Sequence, residues 1–109
     1  MRVTGTKITC YAGETVRVEI DPVYQADGQT PYTDISLAKL AAKKGTETAV
    51  ISDMIVSTSK VTGSFTPTQT LGMLGEYRWE VRVKGNNTEV DVVASGDLIV
   101  NSGAITTAI

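Results

Sequence analysis

Residues 76–84 alternate without interruption: Tyr77, Trp79, Val81 and Val83 are apolar, and Glu76, Arg78, Glu80, Arg82 and Lys84 are charged. Successive side chains of a strand point to opposite faces, so a period of two gives this segment one dry face and one wet face. A dry face made of Tyr, Trp and two Val must be covered by another part of the chain. Gly85-Asn86-Asn87 follows as a turn, and residues 88–93 read as the returning arm of a hairpin.

The same reading applied to the rest of the chain gives more short strands. Residues 7–11 are a strand candidate and Ala12-Gly13-Glu14 a turn, after which Val16, Val18 and Ile20 form a second alternating face that Asp21-Pro22 ends, because proline cannot donate to a ladder. Residues 22–34 carry Pro22, Asp27-Gly28, Pro31 and Asp34, the composition of a long surface loop. Met54-Ile55-Val56 and residues 60–66 follow, the latter with Val61, Gly63 and Phe65 on one side and Pro67 at its end. Residues 68–74 form a connection of about one helical turn that brings Leu71 and Leu74 to the end of a core. Gly96 is expected to break the last strand, with Asp97-Leu98-Ile99-Val100 closing it.

Residues 35–44 pull in two directions. Ser36-Leu37-Ala38-Lys39-Leu40-Ala41-Ala42-Lys43-Lys44 consists of strong helix formers, with Leu37, Leu40, Ala41 and Lys44 at helical spacing and Asp34 available as an N-cap. Lys44-Gly45-Thr46 followed by Ala49-Val50-Ile51, however, has the form of a hairpin turn and its second arm, and the segment is short for a helix without packing. We take it as a strand, with Ala38, Leu40 and Ala42 on one face and Ile35 and Leu37 on the other, an arrangement that requires a bulge. Seven or eight short strands at this spacing imply an all-β chain folded as a two-sheet antiparallel sandwich with Trp79 at its centre.

At 109 residues the chain fits one domain, with residues 1–100 as the sandwich and 101–109 as an apolar C-terminal tail. A net charge of -2, with Lys and Arg scattered, gives no polybasic surface for nucleic acid. Residues 1–5 lack the apolar core of a signal peptide, and no apolar run reaches the length of a membrane span, so the chain is expected to stay soluble inside a cell. Cys10 is the only cysteine, which excludes an internal disulfide. The sequence contains no histidine to activate a thiol, so Cys10 reads as a small buried hydrophobe.

No residues combine into a catalytic, metal or cofactor motif. The spacing of Asp21, Asp27 and Asp34 matches no compact calcium loop, and these residues read as turn acids. Glu76 and Glu80 fall on the wet face beside Arg78 and Arg82, where cross-strand charge pairing accounts for them better than acid–base work. The glycines do not cluster as a phosphate cradle does, and the tyrosines are too dispersed to stack nucleic-acid bases. Asn86-Asn87-Thr88 fits a glycosylation pattern but reads as a hairpin turn. Tyr24 and Tyr32 flank the 22–34 loop and are candidate contact residues, with ordinary loop packing as the alternative. The tail, with Ile105 and Ile109, is uncharged and apolar and is expected to lie on a neighbouring subunit, adding a strand to an exposed edge.

The order of these features resembles a known group. Gly13-Glu14-Thr15-Val16-Arg17-Val18, Tyr32-Thr33-Asp34-Ile35, the Lys-Gly hairpin, Gly63-Ser64-Phe65-Thr66, Gly75-x-Tyr77-x-Trp79-x-Val81-x-Val83 and Gly96-x-Leu98-x-Val100 occur in that succession. The chain is thus similar, over roughly residues 5–100, to the immunoglobulin-like sandwich modules of tailed bacteriophages, in particular the N-terminal domain of baseplate upper proteins and related small virion proteins. The resemblance implies a single immunoglobulin-like antiparallel β-sandwich of about seven to eight strands. It further implies a non-enzymatic virion component made in the host cytoplasm, with no catalytic residues and no cofactor. Its partners would be other virion proteins and copies of itself, with neither nucleic acid nor membrane. A carbohydrate- or cell-surface-binding module of the adhesin type is the alternative.

Overall fold

The alternating segment is the middle of the molecule. In the computed structural model, which describes residues 5–86 and 88–107, it forms β7 (Gly75–Gly85), flanked by β3 (Ile35–Lys43) and β8 (Val90–Asn101). β4 (Val50–Asp53) lies beyond β3 and β1 (Ile8–Tyr11) beyond β8, so the larger sheet has the order β1-β8-β7-β3-β4. A second sheet, of β2 (Val16–Ile20), β6 (Lys60–Phe65) and β5 (Ile55–Ser57) in the order β2-β6-β5, completes an all-β sandwich of eight strands. Trp79, Val81 and Val83 of β7 are buried in one cluster with Val16, Val18, Val61 and Phe65 of the smaller sheet. The dry face read from the sequence is therefore one wall of the core, and Trp79, 3% exposed, belongs to it.

One pairing departs from a wholly antiparallel sandwich. β1 and β8 run parallel, from Ile8 beside Leu98 to Tyr11 beside Asn101. The cause lies in the turn after β1, which carries the chain to the opposite sheet instead of returning it along β1. Gly13 in that turn has a φ of +92°, a conformation that suits glycine. A similar transfer occurs at Met54, which is buried between β4 in one sheet and β5 in the other and whose amide donates to the Ala38 carbonyl at 3.1 Å.

β3 is a strand in spite of its helical composition. It is paired on both sides, Leu40 standing between Val81 and Ser52, and the register slips between Ile35 and Leu37. That irregularity turns Ala38, Leu40 and Ala42 into the core, as the sequence required. Two ladders and a buried face outweigh the few tenths of a kcal/mol per residue that favour helix.

Gly96 does not break β8, which runs through it opposite Trp79. The main chain of Thr6 crosses directly over this position. A Cβ on Gly96 would lie 1.8 Å from the Thr6 carbonyl oxygen, and the Trp79 indole N–H donates to that same oxygen at 3.0 Å. Glycine is needed there for close approach rather than for a turn. The irregularity in β8 falls instead at Val93: Val81 faces Ala94 and Arg82 faces Val92, so Val93 has no residue opposite it and is buried in succession with Ala94.

A short helix, α1 (Pro67–Leu71), closes one end of the sandwich. Thr66 caps it, its hydroxyl accepting from the Gln69 amide at 3.2 Å while the Gln69 side chain accepts from the Thr66 amide at 2.8 Å, and Pro67 occupies the first turn. Thr70 is fully buried: its hydroxyl donates to the Glu14 carbonyl at 2.8 Å and accepts from the Gly13 amide at 3.0 Å. Of the residues expected to reach the core from this connection, Leu71 is half-buried but Leu74 is exposed, and Met73 fills the core position. The Leu74 carbonyl is held outside by the Lys44 ammonium, which donates to it at 2.9 Å.

Two substitutions test this account. Trp79→Ala removes the largest side chain of the central strand and should cost about 3 to 5 kcal/mol, most of the stability of an ordinary domain, in chemical denaturation. Gly96→Ala forces residues 5–7 away from β8 and should cost about 1 to 3 kcal/mol; a melting temperature equal to the parent's would show that Thr6 does not cross there.

Candidate functional site

The 22–34 loop folds as a small structure of its own. The Val23 amide donates to the Ser59 carbonyl at 2.6 Å, the Tyr32 amide to the Val23 carbonyl at 2.8 Å and the Gln25 amide to the Thr30 carbonyl at 2.8 Å, and Tyr24 faces Pro31 in an antiparallel bridge. Asp27 organises the tip. Its carboxylate accepts from the Thr30 hydroxyl at 2.5 Å and from the Gln29 and Thr30 amides at 2.9 Å each. These bonds, the Thr30 hydroxyl foremost, hold the Asp27 carboxyl down to about 2.

The two tyrosines of this loop are not equivalent. Tyr24 is half-buried, whereas Tyr32 is only 6% exposed and its hydroxyl donates to the Asp91 carboxylate on β8. Of the two readings offered for Tyr32, its burial matches loop packing: its ring belongs to the core, and its hydroxyl ties the loop to the β7–β8 hairpin. The Asn86 amide, donating to the Asp34 carbonyl at 3.0 Å, makes a second tie. Between them lies a shallow depression of about 180 Å³ lined in part by Asp27, Asp34, Glu89 and Asp91. Asp21 is not part of it, and among the described residues no three Asp, Glu or Cys side chains are grouped to hold a metal ion.

The wet faces carry charge pairs. Arg78 on β7 reaches Asp97 on β8 at 3.2 Å, Lys39 on β3 pairs with Asp53 on β4, and Lys60 on β6 meets Glu19 on β2 at 3.0 Å, lowering the Glu19 carboxyl through hydrogen bonding and charge. Glu80 pairs along its own strand with Arg82 at 2.5 Å, not across strands as expected. All four pairs are largely exposed and add little stability. Cys10 is half-buried, and burial, reinforced by the charge of Glu14, raises its thiol, the opposite of what a nucleophile needs.

The opposite end of the molecule holds the larger concavity. β1 and β8 finish side by side, with the Ala12 amide donating to the Asn101 carbonyl at 2.8 Å as the last rung. The tail then runs beside the β1–β2 turn, Gly103 lying against Tyr11. A cleft of about 560 Å³ opens between them, lined by Tyr11, Ala12, Glu14, Ala104 and Ile105 among others. Tyr11 is 59% exposed and Ile105 58% exposed. Ile105 is thus a surface residue, and Ile109 lies outside the described residues. Tyr11 was missed in the sequence as a contact candidate, although its place at the outward end of a strand, next to a glycine turn, marks it as a side chain with little to cover it.

No family model matches the chain, and no curated protein matches it.

Asp27 gives a pH test. A folded-state value depressed from 3.8 to about 2 means that the loop-stabilising contribution of this carboxylate is complete above the unfolded value and is lost as pH falls through about 2. Nuclear magnetic resonance of the carboxyl carbon should show that midpoint, and Thr30→Val, which removes the first of its donors, should move the midpoint back toward the ordinary value.

Proposed function

We propose that this protein is a non-enzymatic structural module of a bacteriophage virion, baseplate, tail or capsid-associated, that works by packing against other virion proteins and against copies of itself. The observation that carries the reading is the strand order. β2, β6 and β5 follow the order of strands B, E and D of an immunoglobulin-type sandwich, and β8, β7 and β3 that of G, F and C, with β4 added beyond them. This order supports the immunoglobulin-like resemblance drawn from the sequence, and with it the virion modules that share that pattern. The distribution of polar groups favours a docking role as well. Two of the acids at the loop end are engaged in building the fold, Asp27 by Thr30 and Gln29, and Asp91 by Tyr32.

Antibody raised against the purified chain should label phage particles produced by cells that carry the gene, and the chain should be present in washed particles at a fixed ratio to the other virion proteins. Its absence from particles, together with glycan capture by a monomeric chain on an array, would replace this reading with the adhesin-type alternative.

A further inference from the structure

We infer that the cleft between the Tyr11–Glu14 turn and the tail is the docking site for the C-terminal segment of a second copy of this chain, the two copies meeting about a two-fold axis with each tail kept as a wall of its own cleft. The inference deepens the self-packing part of the proposed function and rests on it. The first observation is one of charge. Among the described residues Glu14 is the only charged side chain lining the cleft, and its carboxylate accepts from the Tyr11 amide at 2.6 Å. An anionic occupant would meet the Glu14 carboxylate, and the rest of the described lining is uncharged, so an apolar segment without acids suits the site. This chain carries such a segment: no charged residue follows Asp97.

The second observation is that the described part of the tail leaves the cleft it helps to form open. Gly103 rests on Tyr11, but the Tyr11 ring and the Ile105 side chain both remain more than half exposed at its rim. When two copies meet about a two-fold axis, Ile105 of each copy covers Tyr11 of the other, so one patch serves both sides of an isologous contact. Each tail leaves its own sheet only after the Ala12–Asn101 rung, so the contact breaks no strand ladder.

The geometry also changes how the tail engages its neighbour. The sequence suggested strand addition to an open edge, but at this end of β1 the Tyr11 amide is already capped by Glu14. Contact therefore runs through side chains in the cleft rather than through a new ladder at this rung.

The test is sedimentation equilibrium on the full chain and on two charge variants, Ile105→Glu and Tyr11→Glu. The parent should dimerise, and each variant should weaken dimerisation by about tenfold or more, since the new carboxylate would be buried without a partner. Both positions are exposed in the single copy, so the melting temperature of the dilute monomer should stay at the parent's value. In a Cys10→Ser background, mixing Tyr11→Cys with Ile105→Cys should yield a disulfide-linked heterodimer on oxidation. A parent chain that is monomeric at millimolar concentration, a dimer indifferent to both charges, or a failure of the heterodimer to form would overturn the inference. Particle labelling separates the two readings: dimerisation through the cleft in a chain absent from particles rejects the virion role and keeps the cleft. Particle incorporation of a chain whose dimer ignores both charges does the reverse.

Discussion

Burial of the odd-numbered face of β7 is the constraint on which the rest depends. A strand that presents Tyr77, Trp79, Val81 and Val83 on one side and five charged residues on the other cannot be stable as part of a single sheet in water. The smaller sheet exists to cover that face, and the chain crosses between sheets where it must to supply it, at the Gly13 turn and at Met54. Just before β1 the chain packs closely over β8. There the Thr6 carbonyl lies over a glycine and accepts from the Trp79 indole, so the one polar atom of the largest core side chain is satisfied by the segment that seals the core beside it.

α1 has an influence out of proportion to its length. Thr70 joins it to the turn that follows β1, and Gln69, besides closing the capping box, lies within 3.5 Å of the Ser52 hydroxyl on β4. β1 and β4 are the two edges of the larger sheet, so five helical residues reach both of its margins. Replacing Thr70 by an apolar residue would leave the Gly13 amide and the Glu14 carbonyl without this partner in the interior, a penalty paid by the turn and not by the helix.

What could be read from the sequence was whatever depended on a strand's own pattern. The faces of β2 and β7 follow from alternation alone, and α1 was legible only as a connection of about one helical turn over residues 68–74, without its capping box. β3 was legible only through its neighbour, because the Gly45 turn and Val50-Ile51 supplied the hairpin that its Leu, Ala and Lys composition concealed. Other features depended on residues distant in sequence. Nothing near Gly96 announces that Thr6 will pass over it, nothing near Tyr32 announces Asp91, and the choice of Met73 over Leu74 for the core is decided by where β7 begins. The tail was legible in composition, as an uncharged run, but the cleft beside it required the parallel pairing of β1 with β8, which no periodicity encodes.

The two ends of the sandwich have been resolved by opposite means. At the loop end, polar groups that would otherwise invite a ligand are consumed internally: three donors converge on Asp27, and the Tyr32 hydroxyl and the Asn86 amide bind the loop and the hairpin into one body. At the tail end the Tyr11 amide is satisfied by Glu14 and the Ala12 amide by Asn101, but apolar side chains are left over. A frame tied together in this way, with a small and mostly apolar open patch, has little conformational entropy to lose when it associates. Those are the properties that the proposed assembly role demands: a subunit that folds by itself, and that packs against its own kind when the local concentration rises.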